Sequence, residues 1–124
     1  MLIRFMKEDF TVCQIGDLQQ VNLDMPYCFL AKTAHELSLV CRSEDVPEKA
    51  LKREDGWQAF YIEGSLDFAL TGILAGIADV LTKKGISLLA LSTYDTDYIL
   101  VKKEKMAQAL QTLEEAGYTI MSDK

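Results

Sequence analysis

The chain has 124 residues, 49% of them apolar, which is enough for one domain or for two small fused units with a buried core. Its 13 basic and 19 acidic residues give a net charge of −6, and no basic stripe with interleaved aromatic residues occurs, so nucleic acid and anionic membranes are poor partners. No apolar run approaches the roughly 18 residues of a membrane span, and the N-terminus lacks a signal-peptide layout, so we expect a cytoplasmic protein.

Residues 1–55 have a strand-rich pattern. The predicted elements are, in order, a strand over 10–15, a polar connection over 16–26, a strand over 27–32, a hairpin turn over 33–36, a strand over 36–42 and a short helix within 43–55. Pro47 suits the first turn of that helix. The order matches that of the second half with its first helix replaced by a loop, so we predict a truncated copy of the same unit; an unrelated extension of the sheet is the alternative.

Residues 56–124 have the pattern of one complete unit. The predicted elements are strands at 57–62, 86–91, 98–101 and 118–121 and helices at 72–84 and 104–116. Apolar residues recur with the helical period in both helical stretches. Each stretch stops at a glycine, Gly85 or Gly117, the residue that most easily takes the left-handed conformation that ends a helix. The order β-α-β-β-α-β with right-handed crossovers predicts an α+β fold, the ferredoxin-like sandwich.

One face of this predicted sheet has no helix to cover it. The strands carry more apolar residues than a single buried face needs, so the second face must also be covered. Residues 1–55 and a second subunit are the two candidates. Together with the exposed edges expected of such a sheet, this surplus predicts a homodimer.

The three cysteines, Cys13, Cys28 and Cys41, lie on or beside apolar runs. Their number is odd, and no Cys-x-x-Cys pair with metal-ligand spacing is present. We predict that they are small, buried, reduced hydrophobic residues. A redox or nucleophilic role is the alternative.

The chain lacks the short motifs that mark catalytic sites. No nucleophile elbow, phosphate-binding loop, dinucleotide fingerprint, zinc set or paired-histidine motif occurs. The only histidine, His35, lies in a predicted hairpin turn with no nucleophile at a recognisable spacing. We therefore predict a binding protein that is not an enzyme and that has no cofactor and no metal site.

Two polar stretches are candidates for a binding site. The loop 63–71 leads through Thr71 and Gly72 into a helix whose first amides have no helical partner and suit a carboxylate. The hairpin 92–97 carries three hydroxyls and two carboxylates. The sandwich places both stretches at one edge of its sheet, where they supply donors for the carboxylate of an amino acid and acceptors for its ammonium group. The alternative is that these side chains only bond their own backbone.

Several segments of the second half share a pattern with a known family. They are Gly56-Trp57, Glu63 to Asp67, Leu70 to Leu74, Gly85-Ile86-Ser87 and Ser92 to Val101. In these residues the chain resembles the ACT-domain family, and in particular its small stand-alone double-ACT proteins, similar in build to the cytosolic arginine sensors and to the regulatory half of aspartokinases. The resemblance covers residues 56–121 well and the N-terminal half loosely.

The resemblance implies ferredoxin-like units that pair across a sheet edge and bind small ligands, usually amino acids, at the interface. The positions that it marks as ligand-binding are Gly64, Ser65, Leu66, Thr71, Gly72, Ser92, Thr93, Asp95, Thr96 and Asp97. We expect a homodimeric sensor or regulator of amino acids that acts on a separate client protein, because no catalytic domain is attached. The alternative is a structural or protein-interaction module that has the fold but no ligand.

Overall fold

The computed structural model describes residues 1–63 and 72–123, which contain eight strands and two α-helices. In chain order these are β1 (Leu2–Phe5), β2 (Phe10–Gln14), β3 (Cys28–Lys32), β4 (Leu37–Arg42), β5 (Lys52–Ile62), α1 (Ile73–Thr82), β6 (Leu89–Ser92), β7 (Asp97–Lys102), α2 (Lys103–Glu115) and β8 (Thr119–Ser122). Neither described helix is long and apolar enough to cross a membrane.

The chain divides into two compact units whose boundary lies inside β5. One unit comprises Met1–Lys7 and Gln58–Lys124, and the other comprises Glu8–Trp57. The sequence-based boundary between residues 55 and 56 lies close to this one. The first seven residues, however, belong with the C-terminal unit, because β1 pairs with the second half of β5 and with β8.

The C-terminal unit confirms the predicted α+β fold, since β5 to β8 and the two helices follow the order β-α-β-β-α-β. Its strands lie in the order β8-β1-β5-β7-β6. The strand β1, which the sequence analysis did not predict, runs antiparallel to β5 and parallel to β8. It therefore separates β5 from β8, the first and last strands of the predicted unit.

Both helices pack on one face of this sheet. Their buried residues are Ile77 and Leu81 of α1 and Met106, Ala109 and Leu113 of α2. The strands contribute Ile3, Phe60, Ile62, Ile99 and Val101 to the same core. This apolar core anchors the end of β5 and the strand β7, which flank the candidate site.

Glycines end both helices, as the sequence predicts. Gly85 and Gly117 have φ angles of 72° and 104°, in the left-handed region that favours glycine. The amide after each glycine donates to a carbonyl five residues earlier, Ile86 to Leu81 and Tyr118 to Leu113, both at 3.1 Å. These are the bonds of the Schellman motif, which satisfies carbonyls that the helix leaves unpaired.

The N-terminal unit is a sheet with the strand order β3-β4-β2-β5, in which every neighbouring pair is antiparallel. Its core contains Cys13, Ile15, Met25, Leu39 and Cys41. Strands β2 and β3 are each antiparallel to β4 and therefore run parallel to each other. That this unit is a truncated copy of the C-terminal one stays a prediction.

The predicted short helix within residues 43–55 is wrong. A 3₁₀ turn at Ser43–Asp45 and a turn in which the Ala50 amide donates to the Pro47 carbonyl are followed directly by β5, which begins at Lys52. The segment has too few apolar residues to hold a helix against the core. The charged C-terminal end of the segment is instead stabilised as a strand, because it pairs with β2.

Candidate functional site

The hairpin between β6 and β7 is closed by its own hydroxyl groups. The Thr93 amide donates to the Thr96 carbonyl at 2.8 Å, the Thr96 amide donates to the Thr93 hydroxyl at 3.3 Å, and the Ser92 hydroxyl donates to the Asp97 carboxylate. The N-terminal unit closes its hairpin in the same way, because the Glu36 amide donates to the Thr33 hydroxyl at 3.1 Å. Three of the five predicted hairpin residues, Ser92, Thr93 and Asp97, therefore use their side chains to close the turn.

The remaining threonine joins the hairpin to β5. The Thr96 hydroxyl donates to the carbonyl of Ile62, 34 residues away, at 2.5 Å. Ile62 is the last residue of β5, and the loop that carries the other predicted ligand positions follows it. The hairpin thus lies beside the end of β5, as we expected. Gly64, Ser65, Leu66 and Thr71, which belong to that loop, lie outside the described residues.

Gly72 is the residue before the first turn of α1. Its φ angle of 82° is left-handed, which explains the need for glycine, and its carbonyl accepts from the Gly76 amide at 2.8 Å. As the N-cap residue, Gly72 has no side chain that could cap this end of the helix. The first amides of α1 are therefore oriented as donors with the positive end of the helix dipole, an arrangement that suits a carboxylate.

The two carboxylates of the hairpin differ in their surroundings. Asp97 is half-buried and accepts from the Ser92 hydroxyl. Asp95 is exposed and makes no hydrogen bond or ion pair with residues 1–63 or 72–123. Asp95 is thus the carboxylate that has no bond within the described residues, whereas Asp97 has one oxygen bonded to Ser92.

A buried arginine that the sequence analysis did not single out holds the end of β5. Arg4 of β1 is only 9% exposed, and its Nε donates to Glu63 Oε1 at 2.9 Å while its Nη1 donates to the Ser122 carbonyl at 3.0 Å. Glu63 is therefore engaged and does not add a free negative charge at the start of the loop. The ion pair fixes the backbone beside the hairpin, since Glu63 directly follows Ile62.

Two tyrosines lie on the sheet face opposite the helices. The rings of Tyr61 and Tyr98 have centroids 5.4 Å apart, and the Tyr61 hydroxyl donates to Asp123 Oδ1 at 2.8 Å. Burial, followed by the negative charge of Asp123, raises the pKa of Tyr98. Tyr98 is therefore a neutral hydroxyl near pH 7 and does not act as a base.

The strand order and the two helices define a ferredoxin-like α+β protein. The family model described as ACT domain matches residues 52–115, which is more than half of the chain. The chain belongs to the ACT-domain family. No curated protein matches the chain.

Solved structures with the same fold span nearly all of the chain. A protein of Agobacterium tumefaciens has a TM-score of 0.86 at 21% identity, with 99% of this chain and 93% of that one covered. A protein of unknown function from Vibrio cholerae has a TM-score of 0.74 at 26% identity, with coverages of 90% and 85%. The regulatory subunit of aspartate kinase from Thermus thermophilus has a TM-score of 0.64 at 9% identity, with coverages of 93% and 96%.

Proposed function

We propose that the protein is a regulatory or sensor protein without catalytic activity and that it binds an amino acid or a similar small zwitterion. The hydrogen bond between the Thr96 hydroxyl and the Ile62 carbonyl carries this proposal, because it brings the carboxylate-bearing hairpin beside the end of β5. Membership of the ACT-domain family supports it. So does the shared fold with a regulatory subunit of aspartate kinase.

In this proposal the two ends of the ligand bind at different elements. The ligand carboxylate binds the first amides of α1 near Thr71 and Gly72, with Gly64, Ser65 and Leu66 as further contacts. The ligand ammonium binds Asp95, the exposed carboxylate of the hairpin. The site side chains that support the hairpin are Ser92, Thr93, Thr96 and Asp97.

The alternative is a structural or protein-interaction module that binds no ligand. The bonds within the hairpin favour it, since Ser92, Thr93 and Asp97 bond their own turn and the turn at Thr33 uses the same threonine contacts. The hydrogen bonds within the turn therefore account for most of the polar residues of the hairpin without a ligand.

A thermal-shift screen across the twenty amino acids separates the two functions. A ligand that binds only the folded protein stabilises it by about 2.7 kcal/mol at 100 times its dissociation constant. We expect at least one amino acid to raise the melting temperature in proportion to the logarithm of its concentration. The matched controls are its N-acetyl and carboxamide derivatives, each of which lacks one of the two charges. A protein that none of the twenty stabilises at millimolar concentration contradicts amino-acid binding.

We further propose that the protein is a homodimer. Among the described strands of the C-terminal unit, β6 pairs only with β7 and β8 only with β1, which leaves two sheet edges with free backbone groups. Leu89 on β6 and Met121 on β8 are 37% and 47% exposed. Light scattering at micromolar concentration should give about twice the chain mass of 13.9 kDa. A mass of one chain contradicts the dimer.

The proposed location is the cytoplasm, where a separate client protein would receive the signal. Three free thiols suit a compartment that keeps cysteines reduced.

A further inference from the structure

The three cysteines lie on one face of the sheet in the N-terminal unit. Cys13 on β2 and Cys41 on β4 are buried, and Cys28 on β3 is half-buried against the same apolar cluster. In the register of β3 and β4, Cys28 is directly opposite Cys41. Side chains of directly opposed residues in an antiparallel pair point to the same face, so these two thiols are neighbours.

The hairpin turn determines the spacing of this pair. The Thr33 amide donates to the Glu36 carbonyl at 2.9 Å and closes the first hydrogen-bonded pair of the β3–β4 ladder. Hydrogen-bonded and non-hydrogen-bonded pairs then alternate, so the Cys28–Cys41 pair is a non-hydrogen-bonded one. In such pairs the Cα atoms are about 4.5 Å apart, which lies within the range of about 4.4–6.8 Å that a disulfide spans.

The third cysteine is excluded from this pairing. Cys13 is directly opposite Leu39, so Cys41 is its diagonal neighbour. Diagonal neighbours are about 7–8 Å apart, too far for a disulfide without movement of the backbone. The Cys13 thiol also donates to the Leu39 carbonyl at 3.4 Å, which holds it on its own strand pair. Three thiols could form three different disulfides, and the geometry thus allows the one between Cys28 and Cys41.

A metal site does not explain the cluster. No group of three His, Cys, Asp or Glu side chains within residues 1–63 and 72–123 could hold a metal ion. Burial raises the pKa of Cys41 to about 12, and burial also raises the pKa of Cys13 and of Cys28. All three are therefore protonated thiols near neutral pH.

We propose that Cys28 and Cys41 are a reversible oxidation site that forms one intramolecular disulfide by exchange with a small disulfide such as oxidised glutathione. Cys28 reacts first because it is the more exposed thiol of the pair. Its sulfur, after losing its proton, attacks the reagent disulfide and releases one glutathione thiol. The sulfur of Cys41, likewise deprotonated, then attacks Cys28 in the mixed disulfide and releases the second. Two cysteine thiols are oxidised and one glutathione disulfide is reduced to two thiols.

The reaction is slow at neutral pH and accelerates as pH rises, because the attacking species is the thiolate and the raised pKa values keep its fraction small. The product links β3 to β4 within the N-terminal unit. The site uses no residue of the proposed ligand site.

The test is native oxidation of the full-length protein with oxidised glutathione, followed by alkylation of the remaining thiols and peptide mapping by mass spectrometry. We expect a disulfide between Cys28 and Cys41, loss of two hydrogen atoms, an alkylated Cys13 and full reversal by dithiothreitol. Cys13→Ala should form the same disulfide at an unchanged rate, and Cys28→Ala should form none. The initial rate should rise about tenfold for each pH unit between pH 7 and pH 8, as expected when the thiolate is a small fraction.

The proposal is overturned if the main product is a Cys13–Cys41 disulfide, a disulfide between two chains or a lasting mixed disulfide at Cys28. It is equally overturned if native protein remains fully reduced at pH 8 while the same reagent oxidises it in denaturant. If Cys28→Ala fails to fold, the test still stands. Peptide mapping of Cys13→Ala and of the parent protein is enough to identify which two cysteines are joined.

Discussion

Replacing Phe60 with alanine is expected to lower the free energy of unfolding by about 3–5 kcal/mol. Phe60 is fully buried in the core that β5 shares with α1 and α2. The substitution removes an aromatic ring and leaves a cavity that close-packed neighbours only partly fill. Urea denaturation followed by circular dichroism measures the change. A loss of this size approaches the whole stability of a small domain, about 5–15 kcal/mol, so partial unfolding in buffer is an expected outcome.

The control for Phe60→Ala is Leu23→Ala. Leu23 is an apolar side chain that is 70% exposed, so its removal should change the free energy of unfolding by no more than about 0.5 kcal/mol. If Phe60→Ala costs less than about 1 kcal/mol, the helices do not pack on β5 as described. Equal effects of the two substitutions lead to the same conclusion.

The sequence predicts the two helices of this core well, because the sequence signals that mark a helix are local. The helical period of the apolar residues and the glycines at positions 85 and 117 specify where both helices end, and the structure confirms both ends. Each signal depends on residues within one or two turns of the same helix. No knowledge of distant residues is needed for such a prediction.

The strand β1 shows where local signals fail. It has only four residues and includes a charged side chain, Arg4, that is buried. The partners that make this burial favourable, Glu63 and the Ser122 carbonyl, are 59 and 118 residues away along the chain. A buried charge is tolerated only when it is paired, and that pairing exists only in the folded chain. Sequence patterns therefore give no sign of this strand.

The sequence did not predict that the charged segment at the start of β5 is a strand, for a related reason. Lys52 to Asp55 have a composition that is typical of a solvated helix or loop, yet they form part of β5, and Lys52 to Glu54 pair with β2. Asp55 accepts from the buried Thr11 hydroxyl at 2.6 Å and from Arg53 at 2.8 Å. Cross-strand pairing and these polar contacts outweigh the weak local preference of the segment.

The sequence singles out the hairpin as a polar stretch but does not assign a role to each of its side chains. The hydroxyl-rich and acid-rich hairpin stood out in the sequence, and Thr96 does bring it beside β5. Which hydroxyls and carboxylates are committed to the turn depends on hydrogen bonds that sequence alone leaves open, such as those of Thr93 with Thr96. The exposure of Asp95, and its lack of a bond within the described residues, favour it over Asp97 as the proposed ammonium contact.

Asp95→Asn should weaken binding of the amino acid that gives the largest thermal shift by about 10- to 100-fold. A hydrogen bond between charged groups contributes roughly 1.5–3 kcal/mol, and each 1.4 kcal/mol is a factor of about ten in affinity. The stability of the ligand-free protein should change by less than about 0.5 kcal/mol, because Asp95 is exposed and makes no hydrogen bond or ion pair with the described residues. Isothermal titration calorimetry and urea denaturation measure the two quantities.

Asp97→Asn provides the contrast, and Asp24→Asn, an exposed carboxylate in a turn of the N-terminal unit, is the matched charge control. Asp97→Asn should lower the stability of the ligand-free protein by about 0.5–1.5 kcal/mol, because the Ser92 hydroxyl then donates to a neutral amide oxygen. Its effect on affinity should be smaller than that of Asp95→Asn, and Asp24→Asn should change neither quantity. If Asp95→Asn binds as tightly as the parent, the hairpin does not contact the ammonium group. If Asp97→Asn alone loses affinity, the carboxylate bonded to Ser92 is the ligand contact, through the lone pairs that the Ser92 bond leaves free.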